Sequence, residues 1–276
     1  MKSYMKPLLG VMLGVVALAA SARPLVAAES PYWLAAMKKV NEGFGGTPRY
    51  VAQFGDSITY AGGFWKPLGW MNAEQFLKDD DGFPKAPTDE TGQTKRWRDL
   101  LKGMTAKGPE HANFSGWTVE KLLEAVPVVL KRDNPEVALI MIGTNDTRPN
   151  GPPDSYGPNL EKLLTMIMEA KCIPVLNTIP PKRNCMPGVE KTNIIIRDLA
   201  TKLNVPLVDY YADILKRQPD NAWDGTLLSK DGVHPSSGET GVFTDENLKI
   251  SGYALRTWLN FLVVREIHFR ILTAPR

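Results

Sequence analysis

Six consecutive apolar residues, Val137-Ala138-Leu139-Ile140-Met141-Ile142, constrain this 276-residue chain more than any other stretch. A strand with one wet face alternates apolar and polar side chains. A run without a polar position fits a strand covered on both faces, as in parallel sheets shielded by their crossover helices. Other strand-like, largely apolar stretches occur at 51–54, 173–179 and 206–210, with a further short strand expected at 111–114. Between them lie stretches with helical periodicity: from Thr118 on, capped by Thr118 and interrupted near Pro127, then 159–170, 189–203 and 248–264. This alternation predicts a three-layer α/β/α sandwich around a mostly parallel sheet of about five strands. Residues 215–229 read as loop.

The run at 51–54 ends on Gly55-Asp56-Ser57, which puts a hydroxyl at a strand's carboxyl end, where open α/β sheets place their ligands. Serine is a weak nucleophile unless a base takes its proton and a third group orients that base. The chain has three histidines. His111 lies in a Pro/Gly-flanked loop and His268 in a basic tail, whereas His234 follows Asp231 by three residues in Lys230-Asp231-Gly232-Val233-His234-Pro235. Each motif alone has a plain structural explanation. Gly-Asp-Ser also makes a turn and helix cap, Gly116 in Phe114-Ser115-Gly116-Trp117-Thr118 a turn, and Asn145-Asp146 after Ile142-Gly143-Thr144 a cap.

Taken together and in order, these four blocks resemble those of the SGNH, or GDSL-like, hydrolase family, over roughly residues 49–262. The resemblance implies a flavodoxin-like fold and a serine esterase or acylhydrolase. Ser57 would be the nucleophile, His234 the base and Asp231 its orienting carboxylate. The backbone N–H groups of Ser57 and Gly116 and the side-chain amide of Asn145 would form the oxyanion hole. No cofactor and no metal are expected. The implied substrates include acetyl groups on carbohydrates, short acyl esters, lysophospholipids and thioesters. A small acyl group on a saccharide is favoured, with a lipase-like enzyme on longer chains and a non-catalytic carbohydrate-binding or scaffold protein as rivals.

Residues 1–28 carry Lys2 and Lys6, no acidic residue and an apolar run over 8–20, followed by Ala20-Ser21-Ala22 and Val26-Ala27-Ala28. This is the pattern of a secretory signal peptide, so 29–276 would be a single exported domain, periplasmic or extracellular, without a membrane span. Cleavage would remove Lys2, Lys6 and Arg23 and leave 30 basic against 30 acidic residues, so the full-length surplus of +3 points to no nucleic-acid partner. Cys172 and Cys185 flank a predicted strand about 23 Å long at about 3.3 Å per residue, so two unpaired thiols are expected.

Two stretches depart from the compact family pattern, at about 64–94 and 236–247. The first, with Trp65, Trp70, Phe76 and Phe83, is expected to form a cap beside Ser57, and Arg96 to Leu101 the helix after it. Its Lys78-Asp79-Asp80-Asp81-Gly82 reads as a solvated acidic turn. Trp65, Trp70 and Trp117 are candidate substrate contacts, able to stack on sugar rings or shelter an acyl chain, or else to pin the loop.

Overall fold

The structure, a computed structural model, describes residues 30–77 and 86–273. The segment expected to be a leader and the acidic turn at 78–82 fall outside the described residues. Val137 to Met141 of the all-apolar run form the C-terminal part of β2 (Pro135–Met141), every residue of which is buried. It pairs in parallel with β1 (Thr47–Gly55) on one side and β3 (Ile173–Asn177) on the other, and β3 pairs with β4 (Leu207–Val208).

The four strands lie side by side in chain order. Right-handed crossovers between successive parallel strands therefore send the connecting helices to one face. These are α4 (Val119–Asp133), α5 (Tyr156–Glu169) and α6 (Met186–Leu203), and neighbours among them touch. The other face takes helices from outside this run. Helix α1 (Leu34–Asn41) packs on β3, and α8 (Gly252–Ile267) packs on β4 and continues into a π-turn at His268–Leu272.

The fifth strand is reduced to two single-residue contacts on the free edge of β1, Tyr50 with Lys102 and Gly55 with Asn113. Gly103 and Gly108, both with positive φ, and a 3-10 turn at Pro109–His111 divide the segment between them, so no continuous ladder forms. Counting this broken edge, the order across the sheet is 2-1-3-4-5, the flavodoxin-type doubly wound arrangement.

Other differences from expectation have local causes. Helix α4 runs through Pro127, which is solvent-exposed, so water can satisfy the carbonyl its missing N–H leaves free. Thr118 makes no side-chain cap bond; the Asp146 carboxylate instead meets the Val119 N–H, at 3.2 Å to each oxygen. Asp209 caps an unexpected helix α7 (Tyr210–Arg217) through the Ala212 N–H and so cuts β4 short. The helix expected at Arg96 to Leu101 is one turn, α3 (Trp97–Leu100). Cys172 and Cys185 are free and buried.

The two departures from the family pattern pack on α8 and on each other. Phe64 and Trp65 are fully buried, the Trp65 N–H donates to Thr257 Oγ1, and Phe76 meets Phe243, which stacks on Trp258.

Candidate active site

Residues 51–55 of β1 are wholly buried, so the strand is fixed when the chain turns at Gly55. A Cβ there would lie 2.2 Å from the Met141 carbonyl and 2.4 Å from Thr59 Oγ1, so only glycine lets β1 and β2 approach this closely. Asp56 then caps the single helical turn α2 (Ser57–Tyr60), its Oδ1 accepting the Ile58 N–H at 3.0 Å. Asp56 is fully buried, and that burial raises its carboxyl pKa to about 6 against the pull of the Ile58 N–H, Arg256 and His234.

The second piece is strapped to the edge of β1. The Gly55 N–H donates to the Ala112 carbonyl and the Phe114 N–H to the Gly55 carbonyl, while the Asn113 side chain donates to the Gln53 carbonyl. Gly116 follows with φ +78°, and no atom lies within 4 Å of where its Cβ would stand. The third piece leaves β2, whose end is level with that of β1 through the Gly55 and Met141 pairing. There Asn145 Nδ2 donates to the Trp117 carbonyl at 2.9 Å, which ties Asn145 to the Gly116 loop and leaves its second amide hydrogen free of that bond. Asp146, buried beneath, has its pKa raised by that burial to about 6.

The fourth piece is a short turn rather than a strand end. The Ser229 N–H donates to the His234 carbonyl and the Gly232 N–H to the Ser229 carbonyl, closing the loop on itself. From outside, the Arg183 N–H donates to the Gly232 carbonyl and its guanidinium to the Lys230 carbonyl, while Asp224 takes the same guanidinium in two bonds at 2.8 and 2.6 Å. This brings His234 Nε2 to 2.9 Å from Ser57 Oγ and His234 Nδ1 to 2.7 Å from Asp231 Oδ2. Asp231 Oδ1 meanwhile accepts from Ser229 Oγ, Val233 N–H and His234 N–H at 2.8, 2.8 and 2.9 Å. Partial burial raises the Asp231 pKa, but those backbone and side-chain donors prevail and hold it well below the usual carboxylate range.

An ionised carboxylate only accepts, so Nδ1 carries the imidazole proton and Nε2 presents a lone pair to the serine hydroxyl. The arrangement can deprotonate Ser57 as it attacks an electrophilic carbon. His111 and His268 stand elsewhere: His111 Nδ1 faces Arg132, and His268 is buried edge-on against Trp97. Among the described residues, no group of three or more His, Cys, Asp or Glu side chains forms a potential metal site.

The three tryptophans separate. Trp65 is fully buried in the core, so it is no substrate contact. Trp70 is half-exposed but lines a cavity of about 380 Å³ with Lys66, Arg98 and Lys102. Lys102 pairs with Tyr50, seven residues before Ser57, so this cavity belongs to the upstream part of the β1 edge and not to the Ser57 end. Trp117 alone adjoins Gly116. Its ring centroid is 6.4 Å from that of Phe114, which is 5.3 Å from that of Tyr60, one turn after Ser57. Tyr60 and Phe114 are exposed, so an aromatic ledge borders the nucleophile. Sequence reasoning missed both, although each sits within three residues of a predicted site residue.

Among curated relatives, a multidomain esterase from Ruminococcus flavefaciens is 29% identical over 221 residues, covering 68% of this chain and 26% of the relative. The thioesterase 1/protease 1/lysophospholipase L1 of Escherichia coli (strain K12) is 27% identical over 143 residues, covering 51% of this chain and 66% of the relative. The chain thus spans about a quarter of the first relative's length and just under two thirds of the second's. A solved G-D-S-L family protein from Desulfitobacterium hafniense DCB-2 shares the fold, with a TM-score of 0.52 at 16% identity over 76% of this chain and 99% of that one. Residues 54–238, which carry the Ser57 turn, Gly116, Asn145 and the Asp231–His234 loop, match the family described as GDSL-like Lipase/Acylhydrolase, and the chain belongs to that family.

Proposed function

We propose that the protein is a serine esterase that removes short acyl groups, acetyl foremost, from a saccharide outside the cytoplasm. The observation that carries the esterase reading is the continuous bonded line from Ser57 Oγ through His234 to Asp231, at 2.9 and 2.7 Å. Ser57 attacks the ester carbonyl as His234 Nε2 takes its proton, and Asp231 keeps the imidazole in the productive tautomer. The Ser57 and Gly116 N–H groups and the Asn145 amide face the oxyanion of the tetrahedral intermediate. His234 returns the proton to the leaving alcohol, and water resolves the acyl-enzyme by the same steps in reverse order.

Two features support a bulky alcohol half. The side chains of His234 and Asp231 are 40% and 50% exposed, so the site is shallow enough to meet a large substrate. The ledge of Tyr60, Phe114 and Trp117 offers ring faces to a sugar. Export rests on the signal-peptide pattern of residues 1–28, and no helix among the described residues is long and apolar enough to cross a membrane.

A second reading, longer acyl chains, draws on the same exposed apolar ledge and on the relative named a thioesterase and lysophospholipase. Hydrolysis of p-nitrophenyl esters from acetate to palmitate by wild type and Ser57→Ala, followed by acetylated oligosaccharides, tests both. Turnover greatest for acetate, extending to acetylated saccharides and absent in Ser57→Ala, is the expected result. A rate that climbs with chain length favours the second reading, and full activity in Ser57→Ala overturns both.

A further inference from the structure

Two basic side chains lie behind the nucleophile turn. Arg256, fully buried in α8, donates through Nη1 to the Ile58 carbonyl at 2.9 Å and through Nη2 to Thr59 Oγ1 at 3.0 Å. Lys107, from the segment strapped to the β1 edge, donates through Nζ to the Thr59 carbonyl at 2.6 Å and to Gln53 Oε1 at 2.7 Å. Phe64 closes over both, its ring centre 3.6 Å from the Arg256 guanidinium carbon and 5.2 Å from Lys107 Nζ. A one-turn helix leaves its last carbonyls without helical partners, and supplying those partners would explain the contacts as plain structure. The peptide connectivity shows more.

The Ile58 carbonyl and the Thr59 N–H belong to one peptide group, and that N–H donates to the Asp56 carbonyl at 3.0 Å. The Thr59 carbonyl and the Tyr60 N–H belong to the next, and that N–H donates to the same Asp56 carbonyl at 2.9 Å. The Asp56 carbonyl shares its own peptide group with the Ser57 N–H, the expected oxyanion donor. Two chains of hydrogen bonds, one from each of these side chains, therefore converge on that single amide. A donor at a carbonyl draws electron density toward the oxygen and makes the N–H of the same peptide more positive, so each chain strengthens the next bond in one direction.

We infer that Arg256 and Lys107 are positioning residues that polarise and fix the Ser57 N–H through the Asp56 carbonyl, so that the oxyanion hole has a cationic backing inside the protein. This rests on the esterase reading above. Burial, with Arg256 and Lys66 nearby, lowers the Lys107 pKa to about 6, while Arg256 falls only to about 10, so at neutral pH the fixed charge of the pair is on Arg256. Loss of the Arg256 relay is the larger effect. Removing a whole oxyanion donor costs about 100- to 1,000-fold, and polarisation adds about 10–30% to a bond, so one relay is worth about two- to eightfold in kcat.

The test compares wild type, Arg256→Met, Arg256→Lys and Lys107→Met in the full chain. Rates on p-nitrophenyl acetate are scaled to the active sites counted by the p-nitrophenol burst from diethyl p-nitrophenyl phosphate. The affinity of a trifluoromethyl ketone, whose serine adduct carries an oxyanion, is measured alongside. The expected result is a two- to eightfold fall in kcat per active site for Arg256→Met, with KM within twofold and ketone affinity reduced by the same factor. Arg256→Lys recovers most of both, and Lys107→Met loses less. Unchanged kcat and ketone affinity overturn the inference, as does an Arg256→Lys protein as impaired as Arg256→Met, or a change confined to KM or to the number of active sites. If the Arg256 variants do not fold, Lys107→Met decides alone: wild-type kcat and ketone affinity refute the relay. A wild type that hydrolyses no ester yet is phosphorylated at Ser57 sinks the esterase reading only, and the relay is then judged on the phosphorylation rate. A wild type inert to both sinks the two together.

Discussion

Asp231→Asn exchanges one carboxylate oxygen for an NH2 group, and the surrounding bonds dictate where each goes. Oδ1 accepts from Ser229 Oγ, Val233 N–H and His234 N–H, two of them backbone donors that cannot turn round. The amide oxygen must therefore occupy the Oδ1 position, and the NH2 group points at His234 Nδ1, now 2.7 Å away as Asp231 Oδ2. That nitrogen must become an acceptor, so the ring proton moves to Nε2, which then offers an N–H to Ser57 Oγ where a lone pair is required. A wrong-tautomer lock of this kind costs about 10⁴-fold in kcat, or about 5.4 kcal/mol at 1.36 kcal/mol per decade. Asp231→Ala has no such lock and leaves the imidazole free to sample both tautomers. The expected order on p-nitrophenyl acetate is wild type far above Asp231→Ala, with Asp231→Asn equal to the alanine variant or below it. Fresh protein is needed, because an Asn-Gly pair deamidates back to aspartate. An asparagine variant within tenfold of wild type, or clearly faster than Asp231→Ala, would refute the tautomer argument.

Asn145→Ala removes one side-chain donor and should lower kcat by about 100- to 1,000-fold with KM little changed; a loss below about fivefold means that Asn145 faces no oxyanion. Asp56 makes a pH prediction. Its carboxyl is raised from 3.8 to about 6 by burial, so the folded state holds the proton more tightly than the unfolded chain and stability falls as pH rises from about 4 to about 6. At 1.36 kcal/mol per unit the fall is about 3 kcal/mol. Asp56→Asn keeps an acceptor for the Ile58 N–H and removes this one titration, so its urea-unfolding free energy should fall by about 3 kcal/mol less than that of wild type across that window, Asp146 keeping its own fall, and should exceed wild type at pH 8. Parallel pH curves for the two proteins would contradict this.

The sheet was legible because its strands carry hydrophobic patterns that no other arrangement satisfies. The six apolar residues from Val137 to Ile142 are 1% exposed or less, and neighbours among the three crossover helices touch one another. Elements set by a single polar bond were not legible. Asp209 begins α7 inside a predicted strand, and Asp146 caps α4 from another loop, which periodicity does not encode. The Trp65 expectation failed for a related reason: an aromatic in a Gly/Pro-rich stretch looks exposed, but Trp65 is drawn into the core against α8. Arg256 left a trace that pattern reading passed over, the one charged residue from Gly252 to Val264 in a largely apolar helical stretch, which fits a buried cation with something to bind.

The four pieces of the site differ in what holds them, and this bears on which can move. Ser57 and Asn145 follow the buried ends of β1 and β2, and Gly116, itself exposed, follows the strap bonded along the β1 edge. The Asp231–His234 loop has no strand behind it. Its partner Arg183 is 42% exposed on the side chain, and an ion pair this open with Asp224 contributes little. What fixes the loop is instead the pair of backbone carbonyls at Lys230 and Gly232 that Arg183 holds, together with the turn's own bonds. On the proposed mechanism, the acid–base half of the site is thus mounted on a more open loop than Ser57 and Asn145 of the oxyanion half. Rigid preorganisation is most valuable where charge develops on an atom the protein must meet with fixed dipoles, whereas the imidazole has to shift between the serine and the leaving alcohol within one turnover. On the proposed mechanism, a firmly held oxyanion side beside a more open base suits this chemistry.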